Sequence, residues 1–238
     1  MSSAVDRNPP HLSALLTAIH PEGYIFLAIS LTVAFLMALA SPFMGWIGLI
    51  ISAWVAYFFR NPKRTTPTRD GLVISPADGI VHRIIKDDPP AELEMPEGDY
   101  TRISIFLNVF DVHINRIPMA GRIVRAAYHH GQFFNASFDK ASKLNERNGL
   151  VVESDDGTQI GFVQIAGLIA RRIRCDVNEG DVVETGQTYG LIRFGSRADI
   201  FIPSDTAPLV IEGQRMIGGE TILADFESKE PARQGTAS

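Results

Sequence analysis

The hydrophobic pattern changes once along the chain, near Arg60. From Tyr24 to Ala40 (YIFLAISLTVAFLMALA) and again from Phe43 to Phe59 (FMGWIGLIISAWVAYFF) the sequence carries no charged residue. Uncharged runs of this length predict membrane-directed helices rather than the buried core helices of a soluble protein, although each is shorter than the roughly 20 residues a spanning helix needs. Proline ends or kinks a helix, so Ser41-Pro42 between the runs predicts either a helical hairpin, spanning or re-entrant, or one long tilted anchor. Tyr24, Trp46, Trp54 and Tyr57 near the run ends suit an interfacial belt. The lead-in, Met1 to Pro21, is polar and contains Pro9-Pro10; it has no basic segment directly before the first run, which argues against a cleaved signal peptide.

Beyond Arg60 the apolar residues come in short runs punctuated by glycine, the signature of strands and turns. Leu72–Ile74, Ile80–Ile85, Ile103–Val109, Gly121–Val124, Gly149–Val152, Ile160–Ile165, Val182–Val183, Tyr189–Arg193 and Ala198–Pro203 read as strands. The segment Phe106–Pro118 reads as an apolar strand ending in a polar cluster, and 136–147 as a polar, helix-compatible stretch. The predicted fold class is mainly β with minor α (α+β): a barrel-sandwich-like β domain preceded by a hydrophobic helical N-terminal anchor. Its boundaries are a flexible N-terminus at 1–21, the hydrophobic segment at 22–59, the β-rich domain at 60–226 and a polar tail at 227–238. Within the β region, Val177 to Ile192 resembles the glycine-spaced turns of lipoyl- and biotinyl-type domains, but no lysine lies between Val177 and Pro203 to carry a swinging arm.

Composition narrows the function classes. The 238 residues are 45% hydrophobic and carry a net charge of −5, which suits a membrane and not a nucleic acid, whose binders usually show a basic face. Arg60, Lys63, Arg64 and Arg69 directly follow the apolar runs, and the positive-inside bias places that flank on the cytoplasmic side. The single cysteine, Cys175, cannot form an internal disulfide. The six histidines form no HExxH or His-x-His pattern, so no metal site is predicted.

The candidate chemistry lies in Arg193-Phe194-Gly195-Ser196-Arg197. A Gly-Ser bond between two apolar β runs leaves the glycine carbonyl unshielded and within reach of the serine hydroxyl. Attack by Ser196 Oγ on the Gly195 carbonyl converts amide to ester; loss of the Ser196 α-proton then expels the upstream chain as a carboxylate, leaving a dehydroalanine that hydrolyses to a pyruvoyl group. Gly-Ser alone is a common turn dipeptide. A base is needed nearby, and His113 has the side chain whose ordinary pKa suits proton transfer near neutrality, although pattern alone equally fits a structural histidine. Asp78, in Ser75-Pro76-Ala77-Asp78-Gly79, fits a plain turn aspartate or a carboxylate that orients His113.

Five segments in order carry a resemblance: Phe59-Arg60-Asn61-Pro62, Ser75–Gly79, Phe106–Arg116 (FLNVFDVHINR), Gly131–Ala136 (GQFFNA) and Phe194–Arg197. Together they resemble the phosphatidylserine decarboxylases in their short bacterial and archaeal form, from about Tyr57 to Phe226. The resemblance implies a proenzyme that cuts itself between Gly195 and Ser196 into a β chain (1–195) and an α chain (196–238), which stay together as a heterodimer and leave a higher oligomer open. It implies that Asp78, His113 and Ser196 carry out the cleavage, and that Ser196 becomes the covalent pyruvoyl cofactor, which takes phosphatidylserine as a Schiff base and releases CO₂ and phosphatidylethanolamine. Longer members carry a second histidine where this chain has Arg116. Phe133, Phe134, Asn135 and Arg197 are the substrate-contact candidates, and the cytoplasmic face of the cell membrane is the implied location. Two other classes fit the same residues: a membrane-anchored Ser-His-Asp hydrolase, although the G-x-S-x-G elbow is missing, and a non-catalytic barrel-sandwich adaptor.

Overall fold

The computed structural model describes residues 18–132, 144–167, 172–193 and 195–236. The chain divides into two compact units, Met1–Lys63 and Arg64–Ser238.

In the first unit, strand β1 (Ala18–Ile19) leads into helix α1 (Pro21–Ala40), helix α2 (Pro42–Phe58) and strand β2 (Arg60–Asn61). His20 caps α1 by accepting the Glu22 N–H on Nδ1 at 3.3 Å, and Pro21 follows at a position where its missing N–H would have had no helical partner. The helix stops at Ser41, whose extended backbone (φ −161°) breaks the spiral before Pro42 starts α2. The two helices fold back on each other along small residues. Gly45 lies against Ala38 and Gly48 against Ala34, so closely that a Cβ on either glycine would come within 2.6 Å of the alanine. The apolar segment is thus a hairpin and not one long anchor. Its base is closed by β1 pairing antiparallel with β2 and by a 2.8 Å hydrogen bond from His20 N–H to the Phe59 carbonyl. Helix α1, with 20 residues and a mean hydropathy of 2.2 over its most apolar window, is long and apolar enough to cross a membrane; at 1.5 Å per residue it measures about 30 Å. Helix α2 is equally apolar but has 17 residues.

The second unit is built from β3 (Leu72–Ile74), β4 (Gly79–Lys86), β5 (Tyr100–Leu107), β6 (Ile114–Arg116), β7 (Gly121–His129), β8 (Arg147–Glu153), β9 (Gln159–Ile165), β10 (Ile173–Cys175), β11 (Val182–Val183), β12 (Thr188–Ile192), β13 (Ser196–Pro203), β14 (Arg215–Met216) and β15 (Ile222–Asp225). Eight strands form an antiparallel sheet in the order β11-β7-β8-β9-β13-β5-β4-β14; β10-β12-β6 and β15-β3 form two smaller sheets. The fold class is the predicted one, mainly β with minor α and an apolar helical N-terminal segment.

Two local expectations change. The segment 106–118 is not one strand: β5 ends at Leu107, a turn follows, and a separate strand, β6, begins at Ile114 in another sheet. The stretch 136–147 lies largely outside the described residues, and its last residue, Arg147, already belongs to β8.

Strand β13 occupies the middle of the large sheet, with β5 on one edge and β9 on the other. Successive side chains on a strand point to opposite faces. Ala198, Ile200 and Ile202 therefore join the principal core with Ile103, Ile105 and Phe162, while Phe201 joins a second core on the other face with Leu93, Tyr100 and Val163. Full burial of each such side chain contributes about 1.5–3 kcal/mol. A strand enclosed on both faces and both edges holds its register firmly.

The start of β4 is fitted just as closely. A Cβ on Gly79 would stand 2.3 Å from the Phe106 carbonyl oxygen of the paired strand, a distance only backbone movement could relieve. Gly79→Ala is expected to destabilise the protein by about 3 kcal/mol, read as a fall of roughly 6–12 °C in the unfolding midpoint; an unchanged melting curve would contradict this packing.

Candidate active site

The bond between Gly195 and Ser196 lies where a turn becomes the central strand. The sequence pattern starts this strand at Ala198, but its hydrogen-bonded register begins at Ser196, opposite Leu107 of β5. Gly195 has φ +65°, in the left-handed region, and a Cβ there would meet nothing within 4 Å. Glycine is required at this point for backbone conformation and not for space. The alternation that buries Ala198 and Ile200 turns Ser196 toward the principal core as well, and the residue is fully buried. Among the described residues, its Oγ has no hydrogen-bond partner. Such a buried, unsatisfied hydroxyl is costly and rare in folded proteins.

His113 is brought to the same end of the sheet by two ties. Strand β6 pairs with β12, placing Ile114 opposite Leu191, and the Ile192 N–H reaches the His113 carbonyl at 3.2 Å. On the other side, Ser196 is held opposite Leu107. The 108–113 turn leaves Leu107 beside Ser196 and arrives at Ile114 beside Leu191, and Ser196 follows Ile192 by four residue steps, a reach of at most about 14 Å.

The 108–113 turn is internally fixed. The Asp111 carboxylate accepts the Asn108 N–H at 2.8 Å and Arg215 Nη2 at 2.5 Å, and the Asn108 side chain accepts the Phe110 N–H at 2.8 Å. The buried His113 ring sets Nδ1 3.0 Å from the Asp111 carbonyl oxygen. A carbonyl can only accept, so Nδ1 carries the proton, and Nε2 is the nitrogen whose lone pair can take one.

Asp78 is also buried, but none of its hydrogen bonds goes to His113. Arg64 Nη2 reaches both carboxylate oxygens, at 3.0 and 2.8 Å, and the Gly218 N–H donates to Oδ1 at 2.8 Å. Burial pushes the Asp78 carboxyl above the usual range, while the Arg64 charge and the Gly218 hydrogen bond oppose that rise. The expectation that Asp78 orients the imidazole is therefore not what the geometry shows: among the described residues the Asp111 carbonyl meets Nδ1, and no hydrogen bond joins Asp78 to His113.

Arg197, a candidate for substrate contact, is fully buried on the opposite face of β13 from Ser196. Its Nη2 donates to Asp199 Oδ2 at 3.0 Å and its Nε lies 2.9 Å from Oδ1. Its charge faces Asp199 rather than a substrate phosphate. The other contact candidates, Phe133, Phe134 and Asn135, lie outside the described residues.

The turn, the histidine loop and the glycine–serine bond lie within a segment, residues 51–224, that matches the family model for phosphatidylserine decarboxylase. The chain is 56% identical to a phosphatidylserine decarboxylase proenzyme of Rickettsia felis over 92% of its own length and 94% of that protein's. It is 54% identical to the one from Ruegeria pomeroyi, over 89% and 97% of the two chains. The chain belongs to the phosphatidylserine decarboxylase family. That family is one of carboxy-lyases.

In this decarboxylase fold, residues that the sequence pattern did not single out surround the site. Arg64 reads as one of several basic residues flanking the anchor, while Arg215, Asn115, Asn148 and Gln164 carry no individual signal in the pattern. Folding joins the last three into a buried chain: Asn148 Nδ2 donates to Gln164 Oε1 at 3.1 Å, and Gln164 Nε2 donates to Asn115 Oδ1 at 2.9 Å. Gln164 sits opposite Ala198, diagonally across from Ser196 on the same face. Asn115 Nδ2 is buried and, like Ser196 Oγ, without a partner among the described residues.

Replacing Gln164 with leucine would strand the amides on either side of it. Gln164→Leu is expected to lower stability by roughly 1–3 kcal/mol despite the added apolar surface, measured by urea unfolding in detergent; a neutral or stabilising result would show that the amide chain is not a structural requirement.

Proposed function

We propose that this protein decarboxylates phosphatidylserine to phosphatidylethanolamine and CO₂, after cutting its own chain between Gly195 and Ser196 and converting Ser196 to a pyruvoyl group. Its relatives are named as phosphatidylserine decarboxylase proenzymes. The observation that carries the cleavage is the environment of Ser196: a buried hydroxyl without a partner among the described residues, one residue after a left-handed glycine, at the first position of an immobile central strand.

Maturation follows from these residues. Ser196 Oγ adds to the Gly195 carbonyl and the amide nitrogen leaves, exchanging the peptide bond for an ester. His113 Nε2 would take the hydroxyl proton, a role supported by the commitment of Nδ1 to the Asp111 carbonyl. Removal of the Ser196 α-proton expels the Gly195 carboxylate and leaves a dehydroalanine; its imine tautomer takes up water, loses ammonia and leaves the α-keto group. Gly195 adopts a left-handed conformation at the scissile bond, and β13, hydrogen-bonded on both edges, would keep the new α chain in the sheet after the cut. The two products, 1–195 and 196–238, remain one folded unit.

The buried site at Ser196 fits the group it would carry, which supplies an electron sink for the pair left behind by departing CO₂. The surrounding protein excludes water and positions the substrate amine. His113 Nε2 is the candidate proton carrier for protonating the product carbon.

The apolar hairpin supplies membrane attachment. Its basic flank, Arg60, Lys63 and Arg64, favours the cytoplasmic face, where the lipid headgroup is met at the interface.

Intact mass spectrometry of the purified protein tests this reading. Two chains, with a pyruvoyl mass on the fragment beginning at position 196, are expected from the native sequence. Ser196→Ala is expected to give one chain of full length and no decarboxylation of phosphatidylserine. Two chains from Ser196→Ala would defeat the mechanism, as would an uncut native protein that is fully active.

A further inference from the structure

Asp78 is held from both sides of the scissile bond in sequence, and Arg64 is the group on the upstream side. The turn that presents Asp78 is tied down first: Ser75 Oγ donates to the Ala77 carbonyl at 2.7 Å, Ser75 N–H donates to the Thr221 carbonyl at 2.7 Å, and Gly219 N–H donates to the Ser75 carbonyl at 2.8 Å. On this platform the carboxylate takes one hydrogen bond from Gly218, which belongs to the 196–238 segment, and two from Arg64, which belongs to the 1–195 segment. Both members of the ion pair are nearly closed off, with side-chain exposures of 13% for Arg64 and 12% for Asp78.

The approach leaves no slack. A Cβ on Gly218 would lie 2.9 Å from the Ala77 carbonyl carbon, and one on Gly219 would lie 2.6 Å from Arg116 Cδ. The Gly218–Gly219 turn therefore rests directly on the aspartate turn and on the arginines.

We propose that Arg64 is a positioning residue for maturation: it fixes the Asp78 carboxylate against the Gly218–Gly219 turn and keeps it charged, and the rate of cleavage between Gly195 and Ser196 depends on that. The inference rests on the self-cleavage reading above.

The charges around Asp78 give the direction of the effect. Burial is the largest influence and raises its pKa; the nearby Asp111 raises it too; Arg64 lowers it by charge and by hydrogen bonding, and Gly218 by its hydrogen bond. Arg116 also faces Asp78, and is itself influenced by Arg64 and Glu220; Glu220 is held by the Thr65 N–H at 3.0 Å. Without Arg64, the largest opposing influence is gone and the carboxyl rises further. A step that needs ionised Asp78 would then require a higher pH. A surface ion pair would matter little here; this one is shielded, and an opposite charge in contact with a buried carboxylate strongly favours its charged form.

The test is the rate at which newly made full-length protein is cut, followed by intact mass in detergent over about pH 6–9, a range chosen to bracket histidine and raised carboxyl titrations. Four chains are compared: the native sequence, Arg64→Gln, Arg64→Lys and Asp78→Asn. Arg64→Gln is expected to be cut about tenfold more slowly at neutral pH and to recover as pH rises. Arg64→Lys, which keeps the charge but loses the reach of the guanidinium, is expected to fall between it and the native protein. Asp78→Asn is expected to show no recovery at any pH.

A native pH profile for Arg64→Gln would overturn the proposal. So would an equal defect at every pH in both Arg64 variants, because a merely structural role moves the rate without moving the profile. Should Arg64→Gln not fold, a native rate and profile in Arg64→Lys would overturn the proposal, and a profile displaced to higher pH would support it. Failure of the native chain to cut at all would instead defeat the self-cleavage reading itself, and this inference with it.

Discussion

A strand hydrogen-bonded on both edges and buried on both faces has almost no freedom to shift, and β13 is that strand in this protein. Its period-two alternation places Ala198, Ile200 and Ile202 in one core and Phe201 in another, so a slip by one residue would exchange apolar and charged side chains across the sheet. Ser196 is the first residue of this strand. The position of its hydroxyl is consequently set by the same burial that stabilises the domain. Directly before it, Gly195 takes the left-handed conformation.

The same strand explains why charge lies buried so close to the site. Arg197 and Asp199 occupy alternate positions on one face and form an ion pair, with side chains only 1% exposed. Removing one of such a pair leaves a buried charge uncompensated, typically a loss of about 3–5 kcal/mol. Ser196, on the other face, has no comparable compensation among the described residues. Ser196 Oγ, Ser104 Oγ and Asn115 Nδ2 are buried without a hydrogen-bond partner among the described residues, and local inconsistencies of this kind are expected at functional sites.

Around that strand the site is assembled from distant pieces. The Asp111 carboxylate is met by Arg215, and Asp78 by Arg64 and by Gly218. Segments on either side of the Gly195–Ser196 bond therefore grip each other at several points outside the sheet. Two chains produced by a cut at that bond would still share one core, one central strand and these polar ties, so the proposed cut would alter chemistry at Ser196 without dismantling the fold.

Much of this was legible along the chain because it is local. Hydropathy marks the apolar helices, since an uncharged run is apolar whatever it packs against. Glycine-punctuated runs mark the strands, and ordered short motifs mark Asp78, His113 and the glycine–serine bond. Proline at position 42 marks the break between the helices, and folding then decided that they pack as a hairpin, through Gly45 and Gly48 against Ala38 and Ala34. Other features had no local signal. The segment 106–118 looked like one apolar strand, but its two halves pair in different sheets. Arg197 looked available to a lipid phosphate because a charged residue is normally exposed; burial of Asp199 beside it claims the guanidinium. Asp78 looked like a partner for His113, yet its hydrogen bonds come from Arg64, 14 residues upstream, and Gly218, 140 residues downstream. The sequence by itself determined which residues are candidates for the chemistry and which stretches are apolar or β-forming, because side-chain chemistry and periodicity are properties of neighbours along the chain. Only the tertiary structure decided which partner each buried polar group takes, because that choice follows from strand order and register between residues far apart in sequence.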